Sequence, residues 1–100
     1  MSMPWYVYLI ENKTGQLYAG MTNDPVRRIS QHRGEKPGGA KALKGKAPLK
    51  FRAVFEVASR SQAMKTEYQL KQLSRAQKLA LISHTHLPDA TWVTPQFEAC

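Results

Sequence analysis

Residues 17–32, LYAGMTNDPVRRISQH, have the pattern of a β-strand end that turns directly into a short helix. Asp24 can accept hydrogen bonds from free amides at the start of that helix. Pro25 suits the first turn because its missing N–H would have no helical partner there. Gly34 is a helix stop signal. The stretch therefore predicts a strand that leads straight into a helix.

Two side chains of this helix have no evident packing role. At about 100° per residue, Arg28 and His32 lie one turn apart on one stripe. That stripe is roughly a third of a turn from the apolar Val26 and Ile29. We therefore expect Arg28 and His32 to lie outside the core, where they could form part of a site.

The residues before this stretch predict a β-hairpin. Residues 5–11 alternate in a β-branched and aromatic run, and a second run covers 16–22. Gly15 suits the left-handed position that closes a short loop. If the loop has an odd number of residues, positions of equal parity pair across the hairpin. Tyr8 and Tyr18 would then lie on the same face of the sheet.

The residues after this stretch predict a further strand and two helices. Residues 34–48, with four glycines and two prolines, are expected to form a loop that is either functional or disordered. The following elements are a strand at 49–58, a helix at about 62–73 capped by Ser61, and a helix at about 75–84 opened by the Ser74–Gln77 capping box. The role of the tail, 85–100, is open, and Trp92 and Phe97 are candidates to dock on the core.

The charge of the chain favours a polyanionic partner. Its 100 residues carry a net charge of +8, and seven cations in residues 33–52 face one acid, Glu35. Nucleic acid, either DNA or RNA, is the first candidate partner, although a solvated basic surface would give the same count. No apolar run is long enough to span a membrane. The single cysteine, Cys100, fits a reducing cytoplasm.

One carboxylate falls on an apolar helix face. Ala63, Met64 and Leu70 mark the apolar stripe of the helix at 62–73, and Glu67 lies in its middle. An unpaired carboxylate would be costly there. We therefore expect Glu67 to meet a cation, which could be a side chain such as Arg28 or a metal ion.

The order of these features resembles that of the GIY-YIG nuclease domain. The two tyrosine triplets of that family look like residues 6–8, YVY, and 18–20, YAG. The arginine, histidine and helical glutamate that follow in the family are matched by Arg28, His32 and Glu67. The segments TNDPVRRISQH, GGAKALKGK and EYQLKQLSRAQKLALI are similar to those of the small stand-alone bacterial branch, the YhbQ-like proteins. Tyr6 and Ala19 depart from the family triplets at positions without a chemical role.

The resemblance implies an α+β fold of order β-β-α-β-α-α, in which helices flank a three-stranded antiparallel sheet. It covers 5–84, nearly the whole chain. Together with the length, it predicts a single domain over 1–100, with a core at 5–84 and a C-terminal tail at 85–100.

The resemblance also implies metal-dependent hydrolysis of phosphodiester bonds. By position, Tyr8 would act as general base toward water and Tyr18 would assist. Arg28 would grip the scissile phosphate, with His32 nearby, and Glu67 would hold one Mg²⁺ or Mn²⁺. Because free tyrosine has a pKa near 10, the base role requires a cation or Arg28 to lower the pKa of Tyr8.

The candidate nucleic-acid contacts are Arg27, Arg28, Lys41, Lys44 and Lys46. Arg27 and the lysine loop could equally be solvated. We expect an endonuclease that selects DNA by shape, because no base-reading module is evident. The alternatives are a catalytically weak nucleic-acid-binding module and a nuclease subunit that needs a protein partner for target selectivity.

Overall fold

A computed structural model describes residues 4–100, so the first three residues of the predicted domain lie outside the described part. The elements are β1 (Trp5–Glu11), β2 (Leu17–Thr22), α1 (Pro25–His32), β3 (Lys50–Val57), α2 (Arg60–Gln72), α3 (Arg75–His84) and β4 (Ala90–Trp92), with short 3₁₀ helices at Lys41–Leu43 and Thr94–Phe97. No helix within 4–100 is long and apolar enough to cross a membrane.

The sheet is antiparallel with strand order β2-β1-β3-β4. In the β1–β2 hairpin, Tyr8 lies opposite Gly20 and Ile10 lies opposite Tyr18. Positions of equal parity therefore pair, as an odd loop length predicts. Gly15 has a φ of +83°, which is the left-handed conformation that the turn requires.

The expectation of a three-stranded sheet was wrong, because the tail adds a fourth strand. In β4, Trp92 pairs with Phe55 of β3, and their rings meet edge-on with centroids 5.3 Å apart. Phe97 packs edge-on against Tyr6 and Phe51. A three-residue strand is too short to show alternation in sequence, so the pattern could not reveal β4.

The sheet has a core on each face. One face, here called the α2 face, packs against α2 and α3 and buries Val7, Leu9, Ala19, Ala53, Phe55, Val57, Ala63 and Leu70. The other face, here called the α1 face, packs against α1 and the 3₁₀ helices and buries Tyr8, Ile10, Ile29, Leu43, Leu49, Phe51, Val54 and Val93. β2 is an edge strand of the sheet, so its unpaired edge lies between the α1 face and the α2 face.

The helix starts follow their capping residues. The Asp24 side chain accepts a hydrogen bond from the Arg27 backbone N–H, as predicted. The Ser74–Gln77 capping box of α3 is also present. In contrast, α2 begins at Arg60 with Ser59 as its cap, so the predicted cap at Ser61 was wrong. Serine occupies both positions, and pattern alone does not distinguish them.

Candidate active site

Tyr8 lies at the centre of the α1 face and is 1% exposed. Its hydroxyl is 2.9 Å from Nε2 of His32. Its ring crosses the backbone of Gly20, the residue directly opposite in the hairpin. A Cβ at Gly20 would overlap the Tyr8 hydroxyl and ring. Gly20 is therefore the residue that leaves room for Tyr8.

His32 is also buried, with 3% exposure, so the expectation that it lies outside the core was wrong. The Ala40 backbone N–H donates a hydrogen bond to His32 Nδ1 over 3.1 Å. In a neutral imidazole the other nitrogen, Nε2, then carries the proton and donates to the Tyr8 hydroxyl oxygen. Burial, and secondarily the charge of Arg28, lowers the pKa of His32 to about 4. His32 is therefore neutral at pH 7.

The glycine-rich loop covers His32 and holds Arg28. A Cβ at Gly39 would overlap the Gln31 carbonyl and lie 3.0 Å from the His32 Cα, so only glycine permits this approach. Arg28 Nη1 donates to Gln31 Oε1 and to the Gly38 carbonyl, both over 2.9 Å. This loop is thus anchored to α1. His32 is buried by residues 38–40, which lie six to eight residues after it in the chain. The periodicity of a helix predicts only which residues of the helix share a face, so it could not predict this contact.

The environment of Tyr8 favours its protonated form. Burial raises the pKa of Tyr8 to about 12. Within this net value, Arg28 acts to lower the pKa through hydrogen bonding and through its charge, while the Tyr18 hydroxyl and the Glu67 carboxylate act to raise it. These effects place Arg28, Tyr18 and Glu67 within electrostatic range of the Tyr8 hydroxyl. At neutral pH Tyr8 carries its proton.

Tyr18 completes an aromatic cluster around His32. Its ring meets the His32 ring edge-on at 5.7 Å between centroids, and the Tyr8 ring also meets the His32 ring edge-on, at 6.1 Å. Unlike Tyr8, Tyr18 is only partly buried. The two tyrosines therefore share one face of the hairpin, as the register predicts, and Tyr18 is the one that solvent reaches.

Glu67 lies at the edge of the buried face of α2 and not in its middle. The buried residues are Ala63, Thr66 and Leu70, whereas Met64 is 50% exposed. The Glu67 side chain is 25% exposed, and its carboxylate is 3.7 Å from Lys71 Nζ. Among residues 4–100 it accepts no hydrogen bond. Its cationic neighbour is thus Lys71, one turn further along the helix, and Arg28 is bound elsewhere.

The donor atoms suit one hard cation rather than a closed metal site. Within the described residues, no group of three or more His, Cys, Asp or Glu side chains could hold a metal. Mg²⁺ often takes one or two carboxylates, several waters and substrate phosphate. Glu67 is a carboxylate without hydrogen-bond donors and within range of Tyr8. The residues present therefore fit Mg²⁺ or Mn²⁺ bound together with a phosphate.

The predicted lysine contacts lie on a neighbouring surface. Lys41 and Lys44 line a cleft of about 590 Å³ between the loop and the end of α1, and Gln31 and His32 line its inner wall. Lys46 is partly buried beyond that cleft, and Arg27 is exposed on α1. The structure therefore places Lys41 and Lys44 next to the histidine of the tyrosine cluster, on a surface that could bind phosphates.

Comparison with known proteins shows the family of the chain. The sequence model of the GIY-YIG catalytic domain matches residues 4–80 of the chain. The chain belongs to the GIY-YIG family. The predicted resemblance is thus confirmed. The catalytic-domain match makes the chain nuclease-like and implies binding to nucleic acid.

Relatives in this family are small bacterial proteins named UPF0213. The chain is 43% identical over 83 residues to a UPF0213 protein of Serratia proteamaculans, covering 83% of this chain and 79% of the relative. It is 47% identical over 81 residues to one of Vibrio campbellii, covering 81% and 76%. The NMR structure of a UPF0213 protein from Bacillus halodurans is 41% identical, with a TM-score of 0.55, and covers 86% of this chain and 89% of that chain.

Sequence reasoning missed the groups that hold the site in place. The Ala40 amide fixes the tautomer of His32, and Gln31 and the Gly38 carbonyl orient Arg28. The Gly38-Gly39 pair was the sequence signal that the backbone of this loop lies close to another part of the chain, here Gln31 and His32 of α1. Which side chain the loop would contact depends on tertiary folding, and spacing along the chain does not give it.

Proposed function

We propose that this protein is a metal-dependent endonuclease that hydrolyses DNA phosphodiester bonds and selects its substrate by shape. The observation that carries this proposal is the buried Tyr8 hydroxyl, bonded to neutral His32 and beside Arg28, in a chain of the GIY-YIG family. Burying the polar groups of Tyr8 and His32 together costs stability that packing alone does not require.

Arg28 is the proposed phosphate ligand. Its Nη1 is held by Gln31 and the Gly38 carbonyl. The Tyr8 hydroxyl is a further polar neighbour of its guanidinium, and the remaining N–H groups would bind phosphate oxygens in a fork. Binding to the loop carbonyl orients the guanidinium before substrate arrives, which reduces the entropy lost on binding.

Tyr8 is the proposed general base, and His32 positions it. With a pKa near 12, Tyr8 must first lose its proton before it can accept one from water. The His32 Nε2–H and the Arg28 charge are the groups of this chain that stabilise the resulting phenolate. Tyr18, which is more exposed, would assist by contacting the same water or phosphate.

Glu67 would hold one Mg²⁺ or Mn²⁺. When bound, such a cation supplies charge neutralisation for the phosphate and lowers the pKa of groups nearby. The Glu67 carboxylate is one of the groups that raise the pKa of Tyr8, so neutralising its charge removes one of the influences that keep Tyr8 protonated. Lys71, at 3.7 Å, is a weakly held neighbour that could move aside.

Shape selectivity is proposed because the surface around Tyr8 offers cations and few base-reading groups. Phosphate contacts fix the position of DNA without reading its sequence. Lys41 and Lys44 beside His32, and Arg27 on α1, are the proposed phosphate contacts. A protein partner could add target selectivity.

A cleavage panel tests this function. Nicked, flapped, branched and intact duplex DNA, together with RNA, are incubated with the protein with and without Mg²⁺ or Mn²⁺. We expect metal-dependent cleavage of at least one nicked, flapped or branched DNA and weaker cleavage of intact duplex. Equal cleavage of every DNA would refute shape selectivity.

The second candidate function is nucleic-acid binding with little catalysis. The raised pKa of Tyr8 is the observation that favours it, because a protonated tyrosine is no base. Tight DNA binding in the same panel without cleavage under either metal would support this alternative. Cleavage that appears only after a second protein is added would instead indicate a subunit that needs a partner.

A further inference from the structure

A second cleft opens on the other side of Tyr18. It has a volume of about 350 Å³, at the lower end of the range of small-molecule sites. It lies along the free edge of β2, between the 3₁₀ helix Lys41–Leu43 and the start of α3. Its lining residues are Asn12, Gln16, Leu17, Tyr18, Ala42, Leu43, Arg75 and Lys78. Tyr18 therefore borders both this cleft and the Tyr8–His32 cluster.

One wall of the cleft carries two cations from α3. Arg75 donates through Nε and Nη2 to the Gly15 carbonyl, and Lys78 Nζ donates to the Leu17 carbonyl over 3.2 Å. Neither forms a salt bridge with a carboxylate in the part of the chain that is described. Each keeps further N–H groups that could bind an anion. The carbonyl contacts hold both charges at the strand edge.

The lining also has an apolar and partly aromatic part. Leu17 and Leu43 are buried, and Ala42 is exposed. The partly exposed ring of Tyr18 offers a surface on which a base can stack. A ligand that matches both the cations and the aromatic part has a flat apolar part and a negatively charged part, and a nucleotide has both.

We propose that this cleft binds one unpaired nucleotide of the substrate strand, next to the phosphate that Arg28 would hold. Its phosphate contacts Arg75 and Lys78, and its base packs on the ring of Tyr18. This inference rests on the proposed function for its choice of ligand. It would explain preference for flaps and strand ends, because a paired base cannot enter the cleft.

The test is a titration of ¹⁵N-labelled protein with 5′-phosphorylated dithymidylate, without metal, followed by NMR. We expect amide shifts concentrated at the cleft. Replacing Arg75 and Lys78 by glutamine removes two charge-assisted contacts and should weaken binding about tenfold or more. The matched control replaces Arg60 and Lys65, two exposed cations on α2, by glutamine in the same way. This control should change binding little.

A second variant tests occupancy without loss of charge. Ala42→Trp should fill the cleft and weaken dithymidylate binding while leaving both cations in place. If the Arg75/Lys78 variant folds poorly, the Ala42→Trp variant still tests the proposal. Equal weakening by the Arg60/Lys65 control would overturn the proposal, as would unchanged binding by Ala42→Trp. Inorganic phosphate that binds as tightly as dithymidylate would also overturn it, because the base would then contribute nothing.

Failure of this inference can be told apart from failure of the proposed function. A wild-type protein that cleaves flapped DNA, with dithymidylate shifts spread outside the cleft, would overturn only the nucleotide site. Cleft-specific shifts in a protein that cleaves no DNA would uphold the nucleotide site and refute the endonuclease.

Discussion

Protonation of His32 should destabilise the folded protein. The folded state lowers the His32 pKa from 6.5 to about 4, mainly through burial. The unfolded chain therefore binds a proton first, and stability present above pH 6.5 is lost as the pH falls toward 4. A pKa difference of about 2.5 at about 1.4 kcal/mol for each unit amounts to about 3 kcal/mol. That is a large share of the stability of a small domain.

The assay is urea unfolding between pH 7.5 and 4, comparing the wild type with His32→Gln. Glutamine does not titrate, and its amide N–H can reach the Tyr8 hydroxyl in place of Nε2. The variant is expected to be less stable at pH 7.5, and this difference should shrink by about 3 kcal/mol as the pH falls. Carboxylates titrate in both proteins and cancel in the comparison. His84→Gln, at an exposed histidine, is the matched control and should follow the wild type.

The result that would refute this reasoning is a His32→Gln profile parallel to that of the wild type. It would mean that His32 titrates similarly in the folded and unfolded chains. His32 would then be solvated, and the hydrogen bonds to the Ala40 amide and the Tyr8 hydroxyl would not hold it as a neutral donor.

Three further changes probe the site and its charge. Gly20→Ala places a Cβ against the Tyr8 ring and should cost about 1–3 kcal/mol in urea unfolding, so unchanged stability would contradict the packing of Tyr8 over Gly20. Tyr8→Phe should keep the fold by circular dichroism and slow cleavage about 100-fold or more, whereas cleavage at the parental rate would show that Tyr8 is not the base. Replacing Lys41, Lys44 and Lys46 by alanine should lower the log–log salt slope of DNA binding by up to about 2.7, and an unchanged slope would place the lysines away from DNA.

Local signals predicted the parts of the fold that depend on neighbouring residues. The hairpin register followed from parity, and α1 followed from Asp24 and Pro25. β4 could not be predicted, because three residues show no period and their pairing is set by packing of Trp92 on Phe55. Similarly, the apolar pattern of α2 predicted that Met64 is buried, but Met64 is exposed and Thr66 faces the core.

The candidate site was predictable as a set of residues but not as a geometry. Tyr8 and Tyr18 share a face, and Arg28 and Glu67 lie in electrostatic range of Tyr8. The burial and tautomer of His32 depend on a loop that folds back over α1, and sequence spacing does not predict that contact. The roles of these residues in catalysis stay predictions.

The measurement that tests the central claim most directly is the metal-dependent cleavage rate of Glu67→Gln beside the wild type, on a DNA that the wild type cleaves. The ion pair with Lys71 is partly exposed and worth about 0.5 kcal/mol or less, so the variant should fold about as well. Thermal melts with and without Mn²⁺ serve as the fold control, and only proteins with an intact metal ligand should melt higher with Mn²⁺. Glu98→Gln, at an exposed carboxylate, is the matched control.

We expect Glu67→Gln to bind DNA, to show no melting shift with Mn²⁺ and to cleave no DNA. A Glu67→Gln protein that cleaves in proportion to its folded fraction would contradict the metal site and the enzyme built around it.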